Sequence, residues 1–426
     1  MRDGGASRNA SRSASRLAVR PTARGWQAIV IGLLVFFLAR LIGTTQFHQL
    51  AYALLALPLV ALVLGWSRSR GLRFSRALPP GTRITARIPA KIRLLLSNRS
   101  RFGSSGVSVA DRLPEPRRFE ARPLAGGSGT TIEASLAFAR RGVYELGPAE
   151  VGAIDPFGLL RFIRRFEERT EVIVYPEVHE LRDFPIRGGN VEVGARGSRG
   201  QRGDEFAGLR EYRRGDDRRH IHWKSVARTG ELYVKEFAVE APRRYAVALD
   251  LRREGLRAPE AEVEDAVSVA ASVLTRLARE RLPFRLVCAD GAGAATPFGS
   301  DEASYWAAMR LLATARADGG RRLGGTALEE GEGLGEGVVL ISRTRNEDLP
   351  VGVRKLRGAG LSVVVVAIAA HTYRTPPGTG GAAQGREAEF LRFVDRLEAA
   401  GAAVRVVSHP EGVAGLSGAS KKKGAV

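Results

Sequence analysis

The chain has 426 residues, enough to bury more than one hydrophobic core, so two or three domains are expected. With 44% hydrophobic and 26% charged residues its composition is globular, and a single cysteine, Cys288, excludes both a disulfide framework and a zinc site built from several thiolates. The formal net charge of +21 points to nucleic acid, an anionic membrane face or an acidic partner until its location along the chain is known.

Residues 1–25 are rich in Ser, Ala and Arg, carry no hydrophobic periodicity and are expected to be disordered. Two nearly continuous apolar stretches, 26–43 and 50–66, each approach the length of a spanning helix and predict a transmembrane hairpin over 26–66. A cleavable signal peptide and a buried core hairpin are the rival readings. The close succession of the stretches argues against the first, and their lack of a polar stripe against the second. Arg8, Arg12, Arg16, Arg20 and Arg24 precede the hairpin, Arg68, Arg70, Arg73 and Arg76 follow it, and the turn 44–49 carries neither Lys nor Arg. By the positive-inside rule both ends are then cytoplasmic, with everything after residue 76 on that side of an inner membrane. Trp26 and Trp66 stand at the inner ends as interfacial anchors, and Arg40 is placed to snorkel at the outer end.

Residues 77–186 show period-two patterning: Ile84, Ala86 and Ile88; Ile92, Leu94 and Leu96; Val107 and Val109; Ile132, Ala134, Leu136 and Phe138, with Gly, Pro and Ser clusters between. This predicts a small β-sandwich-like domain with a structural or partner-binding role. The Gly/Arg-rich run 187–203 reads as a surface linker, with a phosphate- or RNA-binding arm as the alternative. In the run 206–240, Asp216 or Asp217 is placed to cap a helix over 218–228 whose packed face holds Ile221, Trp223, Lys224 and Ala227. Gly230 fits the position past its end, and 231–239 alternates as a strand. Tyr212, Asp216, Arg219, His220, His222 and Arg228 form a dense polar group. A hydrolase built on Asp216, His220 and His222 is one reading of it. An Asp–Arg network that fixes a turn is the preferred one, because histidines two apart on a helix point to different sides.

Tyr212, Gly215, Asp216, Asp217, Arg219, Ile221, Trp223, Ala227, Arg228, Gly230, Glu231, Leu232 and Val234 together resemble the signature of domain-of-unknown-function family 58. Arg141-Gly142-Val143-Tyr144 and Asp155-Pro156-Phe157-Gly158 look like its upstream landmarks. The resemblance implies two N-terminal transmembrane helices, a β-rich region and a von Willebrand factor A-like domain. It also implies an adaptor role beside a MoxR-type AAA+ ATPase and a transglutaminase-like membrane protein, near which the family is often encoded.

Over 241–410 strands and helices alternate, which predicts a doubly wound α/β domain with Asp250 at the carboxyl edge of its first strand. A dinucleotide-binding fold is the rival, but no G-x-G-x-x-G follows that strand. The resemblance directs attention to a metal-ion-dependent adhesion site of pattern Asp-x-Ser-x-Ser, a later Thr and a last acidic position. Here those positions hold Asp250, Arg252, Glu254, Thr326 and Ser342. Arg252 would put a cation where the ion belongs, so neither bound Mg²⁺ nor another cofactor is expected. Cys288 is expected to be inert core packing. Residues 411–426 read as a disordered basic tail.

Of the +21, residues 1–76 carry +10 and Lys421–423 carry +3, whereas 231–420 is nearly neutral. Much of the excess is therefore a topology signal, and nucleic acid is not the expected partner, though lipid or nucleic-acid binding through the basic segments stays as the alternative. No catalytic constellation is identified, and the expected function is a membrane-anchored adaptor for protein partners.

Overall fold

The computed structural model describes residues 15–79, 81–104, 106–186, 206–213, 220–237, 243–252, 260–289, 293–320, 322–343, 347–374 and 381–417. The chain divides into two compact units, residues 1–177 and 178–426, apart from 312–314, which group with the first.

The first unit begins with strand β1 (Ser15–Pro21), followed by helices α1 (Ala23–Ile42) and α2 (Thr45–Ser69). The expectation of disorder over 1–25 is corrected for 15–25: β1 pairs antiparallel with a strand over 160–166, and residues 1–14 lie outside the described residues. Both helices are long and apolar enough to cross a membrane. The turn between them is tighter than predicted. Gly43 closes α1 at φ 77°, a value open to glycine at no steric cost, and residues 45–49 already belong to α2.

The remaining strands are β2 (Leu72–Ala77), β3 (Ile84–Thr85), β4 (Ala90–Asn98), β5 (Val107–Leu113), β6 (Glu115–Ala121), β7 (Gly129–Leu136), β8 (Gly142–Leu146), β9 (Ala149–Ile154), β10 (Leu160–Phe166) and β11 (Thr170–Tyr175). Among the described residues they form a five-stranded sheet, β1-β10-β9-β5-β6, and two three-stranded sheets, β2-β4-β7 and β3-β11-β8. The period-two pattern is realised where it was sustained: Ile92, Leu94 and Leu96 of β4 point into a core shared with Val107, Val109, Val151 and Val174. It holds at Ile84 and Ala86 and fails at 87–88. Arg87 turns the chain at φ 64° and leaves Ile88 exposed, so only Ile84–Thr85 pairs. The core also takes Leu72 and Phe74 from β2, so this unit begins ahead of residue 77. A bidentate pair, Arg76 Nε and Nη2 to Asp111 at 2.8 and 2.6 Å, is buried between β2 and β5.

The second unit opens at Val178, so residues 178–186 leave the predicted β-rich domain. It holds β12 (Phe206–Glu211), α3 (Trp223–Thr229) and β13 (Tyr233–Phe237), then β14 (Tyr245–Asp250), α4 (Glu260–Arg279), β15 (Phe284–Ala289), α5 (Glu302–Thr314), α6 (Leu323–Glu330), β16 (Gly337–Ser342), α7 (Leu349–Gly358), β17 (Ser362–Ile368), α8 (Ala370–Arg374), α9 (Gly381–Ala399) and β18 (Ala403–Val407). The last five strands form a parallel sheet in the order β15-β14-β16-β17-β18. β14 and β16 are buried along their whole length, as a sheet covered on both faces requires. Residues from α6, α7 and α9 pack with Ala246, Ala248, Leu340 and Val365 on one face, and α4 lies against β14 and β16 on the other. Cys288 is buried in β15. The predicted disorder of 411–426 is corrected for its first part: 412–417 is a 3-10 helix with Val413 and Leu416 buried, three residues apart as that helix eclipses them.

Candidate functional site

The parallel sheet sends β14 out to β15 on one side and the returning chain to β16 on the other, so the loops diverge above the carboxyl ends of β14 and β16. Sheets of this kind bind ligands at such a switch point. Asp250 closes β14 there, and its Oδ1 accepts the backbone N–H of Arg252 at 3.0 Å. Ser342 closes the neighbouring β16 and is buried.

Directly after it comes Arg343, whose side chain turns inward and is 0% exposed. Its Nη1 makes long hydrogen bonds to the carbonyls of Asp250 at 3.4 Å and Arg252 at 3.5 Å, and its Nε lies 3.5 Å from Oε1 of the equally buried Glu262 in the first turn of α4. A buried ion pair at this edge thus links α4 to the end of β16. At the end of β17, Tyr373 of α8 donates its hydroxyl to Asp265 Oδ2 at 2.5 Å. Burial, helped by that bond and the nearby Glu262 charge, holds the Tyr373 hydroxyl well above its ordinary pKa, so it stays a donor.

Of the residues predicted for this edge, Asp250 and Ser342 come together at neighbouring strand ends. Arg252 contributes its peptide N–H to Asp250, and a second arginine, Arg343, has its side chain buried at the same edge. Thr326 lies within α6, a helix the sequence reading missed, and Glu254 lies outside the described residues. A divalent ion needs several convergent oxygens, and here a guanidinium stands among them. Among the described residues no group of His, Cys, Asp or Glu side chains is placed to hold a metal ion. Arg343 and Glu262 were the residues missed, though both left a signal. Arg343 follows an unbroken apolar strand, and Glu262 is in step with Ala266, Val269, Ala270 and Val273 on the buried stripe of α4.

The signature segment forms a small module. β12 and β13 pair antiparallel, with α3 on the connection between them. Ile221 bridges to Val234, and His222 donates its backbone N–H to the Tyr233 carbonyl at 2.9 Å, so Ile221 is paired and not α-helical. The helix predicted over 218–228 is thus corrected at 221–222: it begins at Trp223, and 218–219 lie outside the described residues. His222 Nδ1 meets Ser225 Oγ at 2.8 Å within the first turn of α3, which makes this histidine a part of the helix start. Gly230 ends α3 at φ 78°, as predicted. Ile221 is buried and Tyr212 half-buried, whereas Trp223, Ala227 and Arg228 are exposed. Trp223, expected to pack, is 64% exposed. Gly215, Asp216, Asp217 and Arg219 lie outside the described residues, and His220 is exposed.

Residues 208–321, from β12 into the chain beyond α5, match the family described as "Protein of unknown function DUF58". The match is to this segment of the chain. It includes Asp250 and Glu262 and stops short of Arg343, so one partner of the buried pair lies inside the DUF58 match and the other outside it. A relative described as "Uncharacterized protein YeaD", from Bacillus subtilis (strain 168), is 26% identical over 265 residues, which is 59% of this chain and 65% of that protein. The match thus spans just under two thirds of the relative's length.

Proposed function

We propose that this chain is a membrane-anchored adaptor, with its β-rich and α/β units on the cytoplasmic side of the inner membrane and the DUF58 module presented to a protein partner. The first partner to test is a MoxR-type AAA+ ATPase, and a transglutaminase-like membrane protein is the second. In this reading the first unit is sandwich-like, the second is von Willebrand factor A-like, and the chain carries no catalytic step.

The observation that supports it is the solvent-facing apolar surface of a small module: Trp223 is 64% exposed, and Leu232 and Leu209 of the same module are also exposed. Large exposed aromatic side chains are characteristic interface anchors, and tryptophan leads among residues that dominate binding energy. The test is affinity capture of the ATPase by the full chain in detergent, comparing wild type with Trp223→Ala. Loss of a central aromatic anchor is expected to weaken capture by about 2 kcal/mol, or roughly thirtyfold, at unchanged thermal stability. Failure of wild type to retain the ATPase, while other partners are retained, overturns the choice of partner. Equal capture by Trp223→Ala overturns the choice of surface.

A further inference from the structure

Both apolar helices are fused to the β-rich unit at one place, the hairpin of β9 and β10. Its turn is built by Asp155, whose buried carboxylate accepts the backbone N–H groups of Phe157 at 2.7 Å and Leu160 at 2.5 Å. Thr22, the cap of α1, donates Oγ1–H to the Gly158 carbonyl at 2.6 Å and its backbone N–H to the Leu159 carbonyl at 2.8 Å. Gly25 lies so close to the hairpin that a Cβ there would be 2.1 Å from the Leu159 oxygen, and one on Gly65 of α2 would be 2.0 Å from the Phe162 ring. Arg164 of β10 caps the other helix end, with Nη1 donating to the carbonyls of Arg70 at 2.6 Å and Leu72 at 3.3 Å. No flexible linker separates the spans from the sheet.

Positive charge gathers at this junction without acids to balance it. Residues 4–110 contain no Asp or Glu. Arg20 stands directly opposite Arg161 in the β1–β10 register, a like-charge pairing that destabilises a sheet unless an anion lies between. Further along the strand Arg165 faces Arg16 in the same register, but there Glu150 lies on its other side and Glu167 pairs with it at 3.0 Å, so that like-charge pair has acids beside it. On the α2 side, Arg68 Nε is enclosed yet has no hydrogen-bond acceptor, and Arg70 stacks over Trp66 at 4.3 Å. Burial, and then repulsion from Arg73 and Arg70, depress the pKa of Arg164, as expected of a crowded cationic site. The one acid at the hairpin turn, Asp155, is turned inward onto backbone amides. Phe157 at the tip remains 44% exposed.

We infer that this junction is a binding site for anionic phospholipid headgroups: phosphates of the leaflet accept hydrogen bonds from Arg20 and Arg161 on one side of β10 and from Arg68 and Arg70 on the other, with Phe157 seated in the interface. The inference rests on the spanning reading of α1 and α2 and is independent of any protein partner. Juxtamembrane arginines contribute about 1 kcal/mol each to binding an anionic surface.

The test uses the full chain in phosphatidylcholine nanodiscs with or without phosphatidylglycerol, with native mass spectrometry counting the retained phosphatidylglycerol. Wild type is expected to retain it and to gain thermal stability from it, an effect that fades at high salt. Arg20→Gln/Arg161→Gln is expected to lose retention by roughly thirtyfold, and Arg20→Lys/Arg161→Lys to keep most of it. Both side chains are exposed, so the fold should survive either change. Phe157→Trp should be quenched by lipids brominated near the headgroup. Full retention in the Gln variant, or equal stabilisation by inorganic phosphate in phosphatidylcholine discs, overturns the site. Release of the chain from membranes by alkaline wash overturns the spanning reading instead.

Discussion

Glu262→Gln removes the charge facing Arg343 while preserving the size of the side chain. Because both partners are 0% exposed, the variant leaves a buried guanidinium without the carboxylate that faces it. Losing one member of a buried pair costs about 3–5 kcal/mol. The Nε–Oε1 separation of 3.5 Å is longer than in the bidentate Arg76–Asp111 pair, which puts Glu262→Gln at the lower end of that range. For a unit of this size each kcal/mol lowers Tm by about 2–4 °C, so a drop of about 6–12 °C is expected. Arg343→Met leaves the mirror-image defect and additionally strips the Asp250 and Arg252 carbonyls of a donor. The double variant Glu262→Leu/Arg343→Met removes both charges and is expected to recover about 2 kcal/mol relative to the sum of the singles. Thermal unfolding gives the magnitude, and hydrogen exchange on α4 and β16 peptides shows that the loosening is local. Single variants within about 1 kcal/mol of wild type, the range of exposed pairs, would refute the buried pair, as would a double variant that shows no coupling.

Asp111→Asn should cost about 3–5 kcal/mol in the first unit, since Arg76 then stays buried without its carboxylate; thermal unfolding checks it. A chain shortened to begin at residue 77 loses Leu72 and Phe74 from the core, at about 3 kcal/mol or more for each, and should be degraded or aggregate where one beginning at 72 survives longer; pulse proteolysis separates them. Gly25→Ala should destabilise the helix–hairpin junction more than Gly43→Ala, because the first drives a Cβ into the Leu159 carbonyl whereas the second meets open space and costs only the strain of a left-handed φ; detergent-resistant folding measures both. Tyr373 has a raised pKa in the fold, so its contribution to stability is complete below the ordinary tyrosine pKa of about 10 and is lost as pH rises beyond it. Ultraviolet titration of wild type should show a tyrosine that ionises only with alkaline unfolding, and Tyr373→Phe should remove that step.

The fold was legible where a periodic pattern ran long. The apolar stretches, the alternation of β4 and the unbroken run of β17 each bury a continuous surface, so tertiary context had nothing to override. It was illegible where a short segment borrows order from a distant partner. β1 reads as disordered because Ser15–Pro21 has no core of its own, and it becomes a strand only because β10 offers an open edge. Residues 84–88 alternate like a strand, yet pairing stops at Thr85 because Arg87 turns the chain. In the signature segment the capping chemistry of Asp216 pointed to an early helix start. The Ile221–Val234 bridge claims that stretch of backbone first.

Charge was the least transparent signal, for a reason visible in the two arginine sites. The near-neutral stretch 231–420 contains a buried cation matched by a buried acid. A count cannot distinguish a compensated interior pair from two solvated side chains; position can, because Glu262 occupies a stripe otherwise filled by Ala and Val. The opposite holds at the helix junction. Arg20 and Arg161 face each other with no acid in the register, and a fold gains nothing by holding like charges together unless something outside it supplies the counter-charge. Compensated arginines in this chain therefore serve the fold, and the uncompensated ones at the junction mark the place where an external anion belongs.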